Sequence, residues 1–243
     1  MPKNTPIAQS ICAGEYEKEI VGFLEALISP DDCCFDIGGH YGYYTLALAK
    51  LAHQGRVHTF EPVEAHAARI EQATHRSKLD HVTVHHLAVA GENGPLTLNF
   101  ASDEGDDSMA FLDVYGGVDT PAARDQYGAF QTTSVQAVTL DKAKMDFGPP
   151  RFIKIDAEGA EGAILEGGRQ LIAQTRPRML IEVHGICEAM HCANVLQPLN
   201  YRAVLLSKQK TTLPVLWIPS NDHAGIEIVK EKLGEMPITF FNE

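Results

Sequence analysis

Apolar residues recur at helical spacing at Ile20, Val21, Phe23, Leu24, Leu27 and Ile28, and Ser29-Pro30-Asp31-Asp32 closes the run. This predicts a helix over 15–28. Cys33–Ile37 is a short apolar run leading into Gly38-Gly39, and Tyr43–Leu51 resumes a helical pattern, so strand, glycine turn and helix follow one another. Arg56–Phe60 reads as a second strand, 64–77 as a helix and 82–89 as a third strand. The first half is therefore β-α-β-α-β, the order of a parallel sheet with helices on its faces.

The pattern changes over 90–136. Residues 95–100 alternate like an extended strand, while 102–108 and 113–128 are polar and glycine-rich, which predicts an insertion or lid over a site, or else a plain surface loop. Alternation resumes with a strand at 151–155, a helix at 161–173 and a strand at Arg178–Val183. A helix is predicted over 187–199, and strands at 202–206, 215–218 and 226–230. The expected fold class is α/β, a Rossmann-like, mostly parallel doubly wound sheet with an antiparallel C-terminal strand, in one domain spanning 1–243.

Composition limits the partners. The formal net charge of -12 repels phosphate backbones, and no basic run interleaved with aromatics offsets it, so neither nucleic acid nor an anionic membrane is expected. The five cysteines, Cys12, Cys33, Cys34, Cys187 and Cys192, are odd in number and lack C-x-x-C spacing. Reduced thiols in the cytoplasm are the expectation, since the chain opens without a signal-like apolar core. Nothing in the sequence fixes the oligomeric state.

Two acids at strand ends carry the chemistry. Asp36 lies at the end of the first strand, before Gly38, Gly39 and Gly42, a turn where backbone passes close to a ligand. Glu61, in Phe60-Glu61-Pro62, ends the second strand, where a Rossmann-like sheet places a carboxylate for ribose hydroxyls. A nicotinamide dehydrogenase is the enzymatic alternative. Its turn is G-x-G-x-x-G, shaped for a pyrophosphate, whereas D-x-G-G-x-x-G here sets an acid toward a cationic ligand such as S-adenosylmethionine (SAM).

A second block, Phe152-Ile153-Lys154-Ile155-Asp156-Ala157-Glu158-Gly159-Ala160-Glu161 followed by Leu165-Glu166-Gly167-Gly168, resembles the signature of the FkbM-type methyltransferases. Thr139-Leu140-Asp141 and Glu182-Val183-His184 are similar to that family's pattern too, and the likeness runs over roughly 30–205. The resemblance implies SAM as cofactor, held by Asp36, Gly38, Gly39, Gly42, Glu61 and Pro62, with Ala88 near the adenine and Asp156 near the methionine part or the reacting centre. Members of that family are associated with sugar, polyketide and other hydroxyl acceptors and a few with nitrogen, so the resemblance does not carry the substrate over; a hydroxyl of a small molecule or glycan is the expected acceptor. A non-catalytic SAM-fold binding module is the third class.

Methyl transfer to an alcohol needs alignment and removal of a proton. His184 is the expected general base because a neutral imidazole is available near pH 7, with Asp156 and Glu158 as alternatives. Glu161 is assigned to the start of its helix. No metal motif is recognised; Asp156, Glu182 and His184 are the oxygen and nitrogen set that would hold a divalent ion. Tyr41, Tyr43 and Tyr44 are read as pocket lining or as packing, and Lys154, Ile155 and the His85-His86 pair as structural.

Overall fold

The computed structural model describes residues 6–101, 110–112, 130–206 and 212–234. Strands β1 (Cys33–Ile37), β2 (Arg56–Phe60) and β3 (Val82–His85) alternate with helices α3 (Tyr43–Leu51) and α4 (Glu64–Arg76). They follow α1 (Pro6–Ala13) and α2 (Lys18–Leu27). A second sheet comes next, of β4 (Ala88–Val89), β5 (Gly94–Ala101), β6 (Ala110–Leu112) and β7 (Phe130–Val138) in the order β4-β7-β5-β6. The chain then returns through α5 (Leu140–Phe147), β8 (Phe152–Ile155), α6 (Glu161–Glu166), α7 (Arg169–Thr175), β9 (Arg178–Val183) and α8 (Ile186–Leu196). It ends with β10 (Tyr201–Leu205), β11 (Leu213–Pro219) and α9 (His223–Leu233).

The main sheet runs β10-β11-β9-β8-β1-β2-β3. Strands β9, β8, β1, β2 and β3 are parallel neighbours, and β11 lies antiparallel to both β9 and β10. The expected Rossmann-like sheet with an antiparallel C-terminal strand is thus found. Both faces are covered, which explains the nearly unbroken apolar runs of β1, β8 and β9. Phe35, Ile37, Ile153, Ile155 and Ile181 point into the core under α5, α6, α7 and α8. Cys34, Phe152 and Leu180 point the other way, against Ile20, Leu24 and Leu27 of α2, Leu48 of α3 and Val229 of α9. Asp36 and Lys154, register partners on β1 and β8, fall at the site end of the sheet.

Several predicted elements need correction. The helix over 15–28 begins only at Lys18, because Glu17 takes a left-handed φ of 48°, and α1 was not foreseen. The strand over 82–89 breaks after His85, where Leu87 N–H bonds His85 O, and Ala88–Val89 pairs with β7 in the second sheet. The helix over 161–173 splits at Gly167-Gly168, a pair packed so closely that a Cβ would lie 2.8 Å from Ala90 O at the first or 2.7 Å from Leu140 Cβ at the second. The strand predicted at 226–230 is a helix: Asp222 caps it by accepting from Gly225 N–H, and Ile226, Val229 and Leu233 bury one side. The stretch read as an insertion or lid contributes β5, β6 and β7, while 102–108 and 113–128 lie outside the described residues.

Thr139-Leu140-Asp141 acquires a structural reason. Thr139 caps α5 by accepting from Lys142 N–H, and Asp141 accepts from Leu171 N–H at 2.6 Å, so two helices start on one tripeptide.

At the β2–β3 edge His58 Nδ1 lies 3.0 Å from His85 Nε2, and His85 packs 4.1 Å from the Phe147 ring. Burial, and then the neighbouring His58, lower the His85 pKa to about 4. The unfolded chain therefore binds more protons than the folded one, and this stabilising contribution is lost as pH falls from about 6.5 to 4. Denaturation midpoints should fall across that window, and His85→Phe should flatten the fall; an identical slope in the variant would assign the acid sensitivity elsewhere.

Candidate active site

The turn after β1 is built for packing as much as for a ligand. Asp36 is fully buried; its Oδ2 accepts from Thr45 Oγ1 at 2.7 Å, and Lys154 Nζ stands 3.8 Å from Oδ1. Burial pushes the Asp36 pKa up, and the Lys154 charge and Thr45 hydrogen bond oppose it. This carboxylate does not border the cavity beside Glu61. The sequence placed it against the cofactor; the structure makes it an anchor beneath the turn. Asp36→Ala should accordingly cost about 3 kcal/mol of stability, because Lys154 loses a buried partner. A denaturant midpoint equal to wild type would contradict that role.

Gly38 has φ +77°, and a Cβ on it would lie 1.9 Å from Asp156 O. At Gly39 a Cβ would meet Thr59 Cγ2 at 2.4 Å. Of the three glycines expected at the cofactor, Gly38 alone borders the Glu61 cavity; Gly39 faces a smaller neighbouring one, and Gly42 precedes α3 against Ile70.

The larger of these two cavities takes in about 710 Å³ of space including its open mouth. Ile37, Phe60, Ala88 and Val89 form apolar wall, and Leu98, Ala110 and Leu112 from the second sheet complete it. Glu61 sits at one side, its Oε2 accepting from His40 N–H at 2.7 Å and its Oε1 from Val63 N–H at 2.8 Å. Each oxygen keeps a further lone-pair direction for a ligand. Pro62 and Ala88 line the same space. His40 and His66 line it as well, and neither was singled out in the sequence; His40, inside the glycine turn, was the legible one.

Asp156 and Glu158 line the same cavity. His184 Nε2 lies 3.7 Å from Asp156 Oδ1 and 3.3 Å from Glu158 Oε2, and its Nδ1 is 2.8 Å from Glu161 Oε1. Glu161 is fully buried and also accepts from Ala157 N–H at 3.2 Å and Gly159 N–H at 3.1 Å. It thus shapes the loop carrying Asp156 and Glu158, a role beyond the helix start assigned to it.

The electrostatics overturn one premise. Burial works against the His184 charge, but the Glu161 hydrogen bond and the Glu158 and Asp156 carboxylates raise its pKa to about 9. The ring is therefore not the free neutral imidazole expected at pH 7. Burial lifts Glu158 to about 7, with His184 opposing and Asp156 and Glu161 adding repulsion. Asp156 is held low: burial raises it, and the Lys154 charge and hydrogen bond together with the neighbouring His184 and His40 outweigh that. The convergent set also differs from the one expected, because Glu158 takes the place of Glu182 beside Asp156 and His184. Glu182 instead accepts from Thr212 Oγ1 and borders the smaller cavity.

That smaller cavity is lined by Tyr16, Tyr41, Tyr43 and Tyr44 with Lys154, and shares Gly38, His40 and Asp156 with the larger one. The three tyrosines of the turn therefore do not border the Glu61 side. Lys154 is buried and donates to Gly38 O at 3.1 Å and Asp156 Oδ2 at 3.3 Å, tying the glycine turn to β8. His86 Nε2 lies 2.8 Å from Pro62 O, bracing the turn after Glu61.

Residues 36–202 match the Methyltransferase FkbM domain family. The 2-O-methyltransferase NoeI of Sinorhizobium fredii is 27% identical over 168 residues, covering 67% of this chain and 66% of that protein. The crystal structure of Methyltransferase FkbM from Methylobacillus flagellatus superposes with a TM-score of 0.56 at 17% identity, over 79% of this chain and 44% of that one. The matched part thus spans less than two thirds of either relative, and the superposition speaks to the fold.

Proposed function

This chain belongs to the FkbM methyltransferase family, a family of SAM-dependent enzymes, and from that premise we propose that it methylates a hydroxyl of a small-molecule or glycan acceptor. The observation that carries the reading is one cavity lined by Glu61 together with Asp156 and Glu158, the two acids that His184 contacts. Its lining suits SAM: apolar wall for the adenine, a carboxylate for ribose hydroxyls, and acids facing a cationic amino acid and sulfonium. Three carboxylates, and no lysine or arginine among the described lining residues, disfavour a dinucleotide pyrophosphate. The name of the relative NoeI, a 2-O-methyltransferase, supports oxygen as the acceptor atom.

When bound, SAM supplies an electrophilic methyl whose S–C bond breaks as the O–C bond forms. The chain's own work is orientation and proton removal. Glu61 fixes the ribose end, Gly38 and Asp156 set the far end, and Lys154 holds Asp156 in place. The acceptor hydroxyl would lie against the Asp156–Glu158–His184 cluster, where a carboxylate, with the charged His184 beside it, would take its proton as the bond forms.

Titration calorimetry with S-adenosylhomocysteine, and with NAD in a parallel cell, tests the cofactor. Micromolar binding of the first alone is expected; binding of NAD alone overturns the proposal. Binding without methylation of any sugar or polyketide acceptor would instead favour a non-catalytic binding module. His184→Ala should lower turnover by about 100-fold or more with S-adenosylhomocysteine affinity within about threefold. Full turnover in that variant would remove the cluster from the chemistry.

A further inference from the structure

We propose that Asp156, Glu158 and His184 form a binding site for one divalent cation, with Glu161 as the group that orients the histidine. One donor atom from each of the three lies within 4.8 Å of the other two. His184 Nε2 stands 3.3 Å from Glu158 Oε2 and 3.7 Å from Asp156 Oδ1. Adjacent ligands on an ion with bonds of about 2.1 Å at right angles are about 3 Å apart, so small side-chain adjustments bring these atoms onto one centre.

Two further features point to a ligand. Glu161 is an ionisable group with no solvent exposure, and its Oε2 has no hydrogen-bond partner among the described residues. Its Oε1 accepts from His184 Nδ1–H, so that Nε2 is the atom facing Asp156 and Glu158, with its lone pair available once an ion replaces the proton there. A carboxylate behind a histidine, with the opposite nitrogen directed at acidic ligands, is the arrangement that fixes the tautomer of metal-binding imidazoles. Three carboxylates also meet one imidazole here; Lys154 Nζ, 3.3 Å from Asp156 Oδ2, offsets one of them, and a divalent ion would neutralise the remainder. Two carboxylates and one imidazole suit manganese or magnesium and leave coordination positions open.

Since Asp156 and Glu158 line the larger cavity, those open positions face the space assigned to the reactants. The inference deepens the methyltransferase reading: the ion would hold the acceptor oxygen and ease the loss of its proton.

The test is titration of the whole chain with Mn²⁺ alone, followed by electron paramagnetic resonance of the free ion. One ion per chain with a dissociation constant below about 100 μM is expected, weakened at least tenfold in His184→Ala and in Glu158→Gln, each checked for native circular dichroism. No binding by the wild-type chain at 1 mM, or equal binding by both variants, would overturn the site. Glu166→Gln, a surface change, should leave binding intact. S-adenosylhomocysteine titrated without metal separates the two proposals: its binding without Mn²⁺ binding removes the ion only, and the converse removes the cofactor reading only.

Discussion

Gly38→Ala is expected to cost at least about 3 kcal/mol of stability and to abolish cofactor binding in whatever fraction still folds. The reason is backbone against backbone. A Cβ at Gly38 would lie 1.9 Å from Asp156 O and 3.1 Å from Asp156 C, and no side-chain rotation relieves a carbonyl. The φ of +77° adds a second penalty, on the order of 1 kcal/mol, for any residue with a Cβ. Relief requires β8 to move away from the turn. That separates Lys154 Nζ from Gly38 O and breaks the Asp156 N–H bond to Ile37 O. Both sides of the cavity are tied to this junction, so stability and binding should fail together. Urea denaturation followed by intrinsic fluorescence reads the first and calorimetry the second; wild-type values for both would show that β1 and β8 do not meet as described.

Glu61→Ala is expected to weaken S-adenosylhomocysteine binding by about 100-fold or more. Hydrogen bonds to a charged acceptor contribute about 1.5–3 kcal/mol each, and a ribose offers two hydroxyls to this carboxylate. Part of the loss arises within the protein, because Glu61 also receives the His40 and Val63 N–H groups that shape the cavity wall. Glu61→Gln separates the contributions: one amide oxygen can still accept, so its affinity should fall between the other two. Retained affinity in the alanine variant would move the ribose away from Glu61 and with it the proposed orientation of the cofactor.

Much of the fold was legible along the chain because its elements obey local rules. The β1, α3, β2 and β9 segments follow from apolar runs bounded by turn residues, and their bounds agree with the structure residue for residue. Where neighbours in space decide, the reading fails. Ile226 to Lys230 has the apolar content of a strand, yet the Asp222 cap and burial against α2 and α3 make it part of a helix. The break at Gly167-Gly168 depends on Ala90 and Leu140, residues far away in sequence.

The site divides in the same way. Glu61 and the Asp156 to Glu161 block were marked by position, since strand ends of a parallel sheet gather at one edge. The sequence by itself determined the β-α alternation of the parallel strands, the family signature and the acids that stand at strand ends, because backbone periodicity and turn chemistry are local properties. Only the tertiary structure decided which side chains meet. It turned Asp36 inward onto Thr45 and Lys154, set Glu158 rather than Glu182 beside His184, and placed the buried Glu161 behind that ring. Such pairings depend on strand register and loop conformation, and the protonation of His184 depends in turn on the carboxylates that the fold, not the chain order, brings within 4 Å of it.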